Sequence, residues 1–174
     1  MGGKQDTAAA APQTAVDTRD FVKSLDRKKV LVLDEGTYPF CEVAPCCTIV
    51  PGDDVMGFVT NEGKLQLHKQ NCPEALRLKT SFGNNIIACR WDMHKSMLFD
   101  ARIGIRGVDS KGVLYAIADV LQKLSLFRVK SITLDTKDGI FEGTLLISVF
   151  DADDIRTVCD RLKQIENVTR AARI

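Results

Sequence analysis

Residues 99–124, FDARIGIRGVDSKGVLYAIADVLQKL, decide the fold because they join two hydrophobic periods. From Phe99 to Arg106 apolar and polar residues alternate, which predicts a β-strand with one buried face. From Val113 to Leu124 the apolar residues recur every three or four positions, which is typical of an amphipathic helix. This part of the sequence therefore predicts a strand followed by a helix that covers it.

The chain after Leu124 continues in the same manner. Asp138-Gly139 predicts a hairpin turn, because glycine accepts the positive φ of a tight loop. Asp151 to Asp154 supply carboxylates that can cap a second helix. Three more strands are predicted, at 128–136, 141–150 and 168–174. The order βαββαβ predicts a ferredoxin-like domain over residues 98–174.

The segment before this domain, residues 29–95, carries shorter signals. Two strands around Asn61-Glu62-Gly63 predict a hairpin, and Cys72-Pro73-Glu74 predicts a helix start. Further strands are predicted at 29–33 and 86–91. We therefore expect an α+β protein with a small β-rich first domain, preceded over residues 1–28 by a flexible tail or linker.

The composition excludes several classes of protein. The chain has 174 residues, with 24 Lys and Arg against 23 Asp and Glu, so its net charge of +1 does not attract nucleic acid or an anionic membrane by itself. No apolar run approaches the ~18 residues of a membrane span. We expect a cytoplasmic protein, in which the six cysteines are thiols, metal ligands or buried apolar residues.

Four residues of the first domain form a candidate metal site: Cys46, Cys47, His68 and Cys72. Zinc in a structural site takes four Cys or His ligands, and a small domain gains stability from such an ion. Strand alternation puts His68 on the polar face of its strand, away from the leucines. Cys72 would begin a helix, where the helix dipole favours a thiolate.

Two alternatives remain open at this point. Adjacent cysteines are not the usual Cys-x2-Cys pair, so the thiols could simply be buried, or Cys41 could replace one ligand. A nucleophilic cysteine with a histidine would indicate an enzyme, but the sequence has neither a Cys-x-x-Cys redox pair nor a glycine-rich phosphate loop. We therefore expect no active site in this chain.

Residues 46–60, 63–68 and 71–73 resemble the C-terminal regulatory half of long RelA/SpoT proteins, which make or hydrolyse (p)ppGpp in the stringent response. The resemblance implies a zinc-finger domain, in which Cys46, Cys47, His68 and Cys72 bind the zinc ion, followed by an ACT domain. It also implies docking on the ribosome near ribosomal RNA when uncharged tRNA occupies the A site, and control of catalytic domains outside this chain. Ile49 departs from the family, which often has proline there.

The segment from Asp109 to Leu114 resembles the turn between the first strand and first helix of ACT domains. In many of these domains the turn binds an amino acid at a subunit interface. Asp109 could cap the helix, and Gly112 could allow a ligand to approach. The alternative function that the resemblance implies is therefore an amino-acid sensor that acts as a homodimer. Its ligand would bind at Asp109, Gly112, Val113 and Leu114.

Basic residues cluster in two parts of the chain. Such clusters suit contacts with RNA phosphates, although they are often only solvated faces. The candidate RNA contacts are Lys64, Lys69, Arg77 and Lys79 in the first domain and Arg156, Arg161 and Arg170 in the second.

Overall fold

A computed structural model describes residues 17–125 and 127–174, which form two α+β domains in contact with each other. Most of the predicted tail, residues 1–16, lies outside the described residues. None of the helices within the described ranges has both the length and the apolar character that a bilayer span requires.

The first domain is a five-stranded mixed sheet with the strand order β1-β5-β3-β4-β2. Its strands are β1 Leu31–Leu33, β2 Cys41–Val43, β3 Val55–Val59, β4 Leu65–Lys69 and β5 Ile86–Trp91. Its helices are α1 Thr18–Ser24 and α2 Pro73–Ser81, with 3₁₀ turns at Tyr38–Phe40 and Gly83–Asn85. The β3–β4 hairpin is present as predicted: the Thr60 N–H donates to the Lys64 carbonyl at 2.9 Å, and Gly63 has φ +77°.

Helix α1 corrects the prediction of a tail up to residue 28. Asp17 caps the helix by accepting a hydrogen bond from the Arg19 N–H at 3.0 Å. Val22 is buried against Val59, Leu65 and Ile87 of the sheet. One turn or two of helix with a single buried valine leaves too weak a period to be detected in the sequence.

The second domain has the predicted order βαββαβ. Its elements are β6 Phe99–Val108, α3 Val113–Lys123, β7 Arg128–Lys137, β8 Ile140–Val149, α4 Ala152–Lys163 and β9 Val168–Arg173. The strands form an antiparallel sheet in the order β7-β8-β6-β9. Both helices pack on one core, which contains Ile103, Ile117, Leu145 and Leu162. Asp138 and Gly139 both have positive φ, as the predicted hairpin turn requires.

Aromatic rings join the two domains. The ring centroid of Tyr38 lies 5.3 Å from that of Phe99, and the ring centroid of Trp91 lies 5.9 Å from it. Edge-to-face contacts at such distances are favourable. The last strand of the first domain therefore leads directly into a shared apolar contact at the start of the second.

Candidate metal centre

The four predicted ligands converge from three separate segments of the first domain. Cys46 and Cys47 lie in the loop after β2, His68 lies in β4, and Cys72 is the N-cap residue of α2. Their candidate ligand atoms all lie within 4.8 Å of one another. The strand pairing explains part of this convergence, since β2 runs parallel to β4 and delivers the cysteine loop to the end of β4 that carries His68.

The spacing of the donor atoms fits a tetrahedral metal ion. The Cys46 Sγ lies 3.7 Å from the Cys47 Sγ, 3.6 Å from the Cys72 Sγ and 3.4 Å from the His68 Nδ1. Zinc bonds of about 2.3 Å to sulfur and about 2.0 Å to nitrogen imply tetrahedral edges of about 3.8 Å between sulfurs and about 3.5 Å between sulfur and nitrogen. Three thiols and one imidazole at these separations match a closed structural site.

His68 is buried, with only 2% of its surface exposed, although alternation placed it on a polar face. The alternation itself is correct, because Leu65 and Leu67 point into the sheet's own core. What the period could not show is that the cysteine loop and α2 cover the other face of β4. Within the described residues the His68 Nε2 has no hydrogen-bond partner, while its Nδ1 points at Cys46.

Of the three thiols in the cluster, that of Cys72 is suited to act as a thiolate, whereas burial raises the pKa of the Cys46 and Cys47 thiols. The backbone N–H of Ala75, in the first turn of α2, lowers the pKa of the Cys72 thiol. The Lys69 N–H donates to the Cys47 Sγ at 3.4 Å. Hydrogen bonds of this kind stabilise negative charge on sulfur, which is the form that binds metal.

The alternative ligand Cys41 lies elsewhere. Its thiol donates to the Thr37 carbonyl at 3.6 Å, and burial raises its pKa to about 12. Burial also raises the pKa of Cys89 to about 11. These two thiols pack among the apolar residues of the sheet and act as small hydrophobic side chains.

The turn of the second domain differs from the prediction at Asp109. The N-cap residue of α3 is Gly112, with φ +91° and no side-chain cap, while the Asp109 N–H donates to the Gly139 carbonyl at 2.8 Å. The prediction that Asp109 caps the helix is therefore wrong. Val113 is buried in the core, and Leu114 is 56% exposed.

The predicted basic contacts are spread over both domains, and several of them form ion pairs. Lys64 pairs with Glu42 at 2.9 Å, and the Arg77 Nε donates to Glu74 at 3.0 Å. Lys79 donates to the Gln70 side chain, and Arg156 pairs with Asp153 at 2.7 Å. Arg161 and Arg170 are exposed on α4 and β9. Pairing reduces the positive charge that these surfaces offer to a polyanion.

Two family models match the chain side by side: the RelA/SpoT RIS domain over residues 35–92 and the ACT domain over residues 95–173. The chain belongs to the RelA/SpoT family. We therefore call its first domain the RIS domain and its second domain the ACT domain.

Two curated proteins and one solved structure are similar to parts of this chain. The GTP pyrophosphokinase of Escherichia coli K12 is 24% identical over 173 residues, which are 98% of this chain and 23% of that protein. The bifunctional (p)ppGpp synthase/hydrolase RelA of Mycobacterium tuberculosis is 28% identical over 129 residues, which are 73% of this chain and 17% of that protein. The crystal structure of the ACT domain from the Chlorobium tepidum GTP pyrophosphokinase is 33% identical, covers 45% of this chain and 100% of that one, and has a TM-score of 0.42. The chain spans less than a quarter of the length of these curated relatives.

Sequence reasoning named the four residues that the structure brings together, but it missed the residues that hold the cysteine loop. Asp53 ends the sequence Pro51-Gly52-Asp53, which lies within the segment 46–60 that carries the family resemblance. In the structure its partner is Arg173, 120 positions away. No local period or spacing connects two such distant residues. The only signal was the motif itself, a turn sequence of unassigned purpose.

Proposed function

We propose that this chain is the regulatory C-terminal region of a stringent-response enzyme that makes or hydrolyses (p)ppGpp. In this proposal it senses amino-acid starvation by docking on ribosomal RNA when uncharged tRNA is in the A site. It then controls catalytic domains that lie outside these residues, and it has no catalytic site of its own. The ribosomal partner implies a cytoplasmic location.

The proposal includes a zinc ion bound by Cys46, Cys47, His68 and Cys72. The convergence of all four donors within 4.8 Å carries it. The ion would be structural, because all four positions of a tetrahedron are filled by side chains. It would fix the cysteine loop, β4 and the start of α2 to one another, which a domain with small apolar clusters needs.

Metal analysis of the purified chain tests this site directly. We expect about one zinc per chain, bound by His68 and the three thiols. His68→Ala and Cys72→Ala should lose it, because three remaining donors leave the tetrahedron open. Cys159→Ala is the matched control: this thiol is buried in α4 of the ACT domain and is not one of the four clustered residues, so its loss should leave the zinc in place. A folded, metal-free wild type would refute the assignment.

The basic surfaces would contact the RNA backbone. Lys69 and Lys79 lie beside the cluster, at the end of β4 and in the last turn of α2. Lys69→Gln and Lys79→Gln should each weaken binding to purified ribosomes in a sedimentation assay, and the affinity should fall steeply with salt. Lys23→Gln, on the exposed face of α1, is the charge-matched control. Binding that is indifferent to salt would exclude the phosphate contacts.

The amino-acid sensor remains the competing function. The open space around Gly112, whose φ is +91°, is the feature that would accept a ligand. Isothermal titration with amino acids decides between the two: saturable heat that disappears in Gly112→Val favours the sensor. Sedimentation equilibrium of the same samples measures whether the ACT domain forms a homodimer. We expect no saturable heat.

A further inference from the structure

We propose that Arg173, in the last strand of the ACT domain, is a positioning residue for the metal centre of the RIS domain. It would hold the loop that carries Cys46 and Cys47, so that docking of the ACT domain raises metal affinity. This inference rests on the proposed metal site and extends it across the domain boundary.

The Arg173 guanidinium clamps the loop at two points. Its Nη1 and Nη2 donate to the Asp53 carboxylate at 2.7 and 2.9 Å, and its Nη2 also donates to the Thr48 carbonyl at 2.7 Å. Thr48 directly follows Cys47 in the chain. The Asp53 carboxylate in turn accepts the Val50 N–H at 2.9 Å. One side chain therefore fixes both ends of the segment that leaves the metal ligands.

The same segment is built into the ACT domain. Val50 has no exposed surface and belongs to the ACT core. The Ala152 N–H donates to the Pro51 carbonyl at 2.8 Å. Gly52 has φ +96°, and a Cβ at this position would lie 3.1 Å from the Ala152 Cβ, so only glycine fits the approach. The cysteine loop thus has the metal ligands at its start and the ACT domain at its end.

The clamp is arranged for geometry rather than for maximal stability. The side chains of Arg173 and Asp53 are 18% and 14% exposed, so both charges are largely removed from water. A bidentate pair in such surroundings is directional, but its net contribution to stability is offset by desolvation. The Arg173 Nε is buried with no partner among the described residues. The other guanidinium nitrogens of Arg173 both bond to the same loop. The side chain is therefore suited to holding that loop in place, although one of its donors stays unpaired.

A linkage follows from this arrangement. Two of the four ligands lie on the loop, so a loop that is free to move must be ordered when the metal binds. Residues that orient metal ligands from outside typically change metal affinity by about 10-fold to 100-fold. Because linkage is reciprocal, metal binding would favour the docked arrangement of the two domains by the same factor.

The test measures metal affinity of the full chain by competition with a chelator, using Co²⁺ as a spectroscopic probe. Arg173→Met keeps an unbranched apolar stem and removes the guanidinium that forms the clamp; we expect Co²⁺ affinity to fall about 10-fold to 100-fold. Arg102→Met, exposed on the neighbouring strand β6, should bind Co²⁺ as wild type does. Arg173→Lys should be intermediate, since one ammonium can pair with Asp53 but does not reproduce the fork to Thr48.

The outcomes separate this proposal from the metal site itself. If Arg173→Met binds Co²⁺ as tightly as wild type, with the same thiolate charge-transfer band, the clamp does not position the ligands. A purely structural role would lower the unfolding midpoints of metal-free and metal-loaded protein equally and leave the affinity unchanged, which also overturns the proposal. A wild type that binds no Co²⁺ refutes the metal site and the clamp together. If Arg173→Met does not fold, Asp53→Asn, which keeps the size of its side chain, takes its place with the same expected loss.

Discussion

The RIS and ACT domains reach their folds by different means. The ACT domain has three strands of ten residues each and one continuous core. The strands of the RIS domain have three to six residues, and its apolar residues fall into three clusters of four buried residues each. Because a divided core buries little surface around any one point, we expect the RIS domain to depend on the proposed metal and the ACT domain to be stable without it.

Removal of the metal should have the largest effect, and it should be confined to one domain. Structural zinc in small domains contributes roughly 10–16 kcal/mol of apparent binding energy. After chelation we expect amides of β3 and β4 to lose protection from hydrogen exchange while those of β6 and β8 keep theirs. Adding zinc back is the control for reversibility. Equal loss of protection in both domains would show that they fold as one unit.

Matched core truncations sharpen the comparison. Ile147 in the ACT domain and Leu67 in the RIS domain are both fully buried, and truncating either to alanine should cost about 2–5 kcal/mol. Ile147→Ala should destabilise the ACT domain with or without metal. Leu67→Ala should destabilise the RIS domain only in metal-loaded protein, because we expect the metal-free RIS domain to have lost its structure already. Domain-resolved hydrogen exchange distinguishes the two, and a Leu67→Ala effect of equal size without metal would contradict the model.

The same difference decides what the sequence could predict. Long periods made β6, α3 and β8 predictable to within a residue or two, because each repeats its pattern several times. Strand β2, with three residues, is too short to show a period. The four clustered donors were predictable as a candidate site because donor chemistry can be read from the residue types themselves. The burial of His68 and the Arg173 clamp were not, because both depend on segments that meet only in the folded chain.

The two domains also begin their helices differently. Helix α4 is capped by Asp151, whose carboxylate accepts the Asp154 N–H at 3.0 Å, whereas α2 begins at Cys72 with no side-chain cap. Asp151→Ala should cost the ACT domain about 1 kcal/mol, independently of metal. Denaturant unfolding measures the loss, and Asp151→Asn should restore most of it. If the loss of stability depended on zinc, the cap of α4 would be coupled to the RIS domain, and the expected independence of the two domains would be wrong.

The smallest expected effect concerns the segment between β5 and β6, which contains His94 and Ser96 and joins the two domains, and its response to pH. The Glu35 carboxylate accepts hydrogen bonds from the Ser96 Oγ at 2.6 Å and the His94 N–H at 3.0 Å, and these bonds lower its pKa from 4.5 to about 2. A depressed carboxyl pKa contributes stability that is complete above about pH 4.5 and is lost as pH falls towards 2. Because the Glu35 side chain is partly exposed to solvent, we expect a local effect: a lower protection factor for the His94 amide, relative to its intrinsic exchange rate at each pH, in that acid range.

Glu35→Gln separates this contact from general acid unfolding. The variant keeps an acceptor oxygen but has no charge to lose, so the acid-dependent loss of His94 amide protection should disappear while the protection factor near neutral pH changes little. Glu62→Gln, in the β3–β4 turn, is the matched control and should behave as wild type. If Glu35→Gln retains the acid dependence, the titrating group lies in one of the domains rather than in the link between them, and the two domains would then share their response to acid.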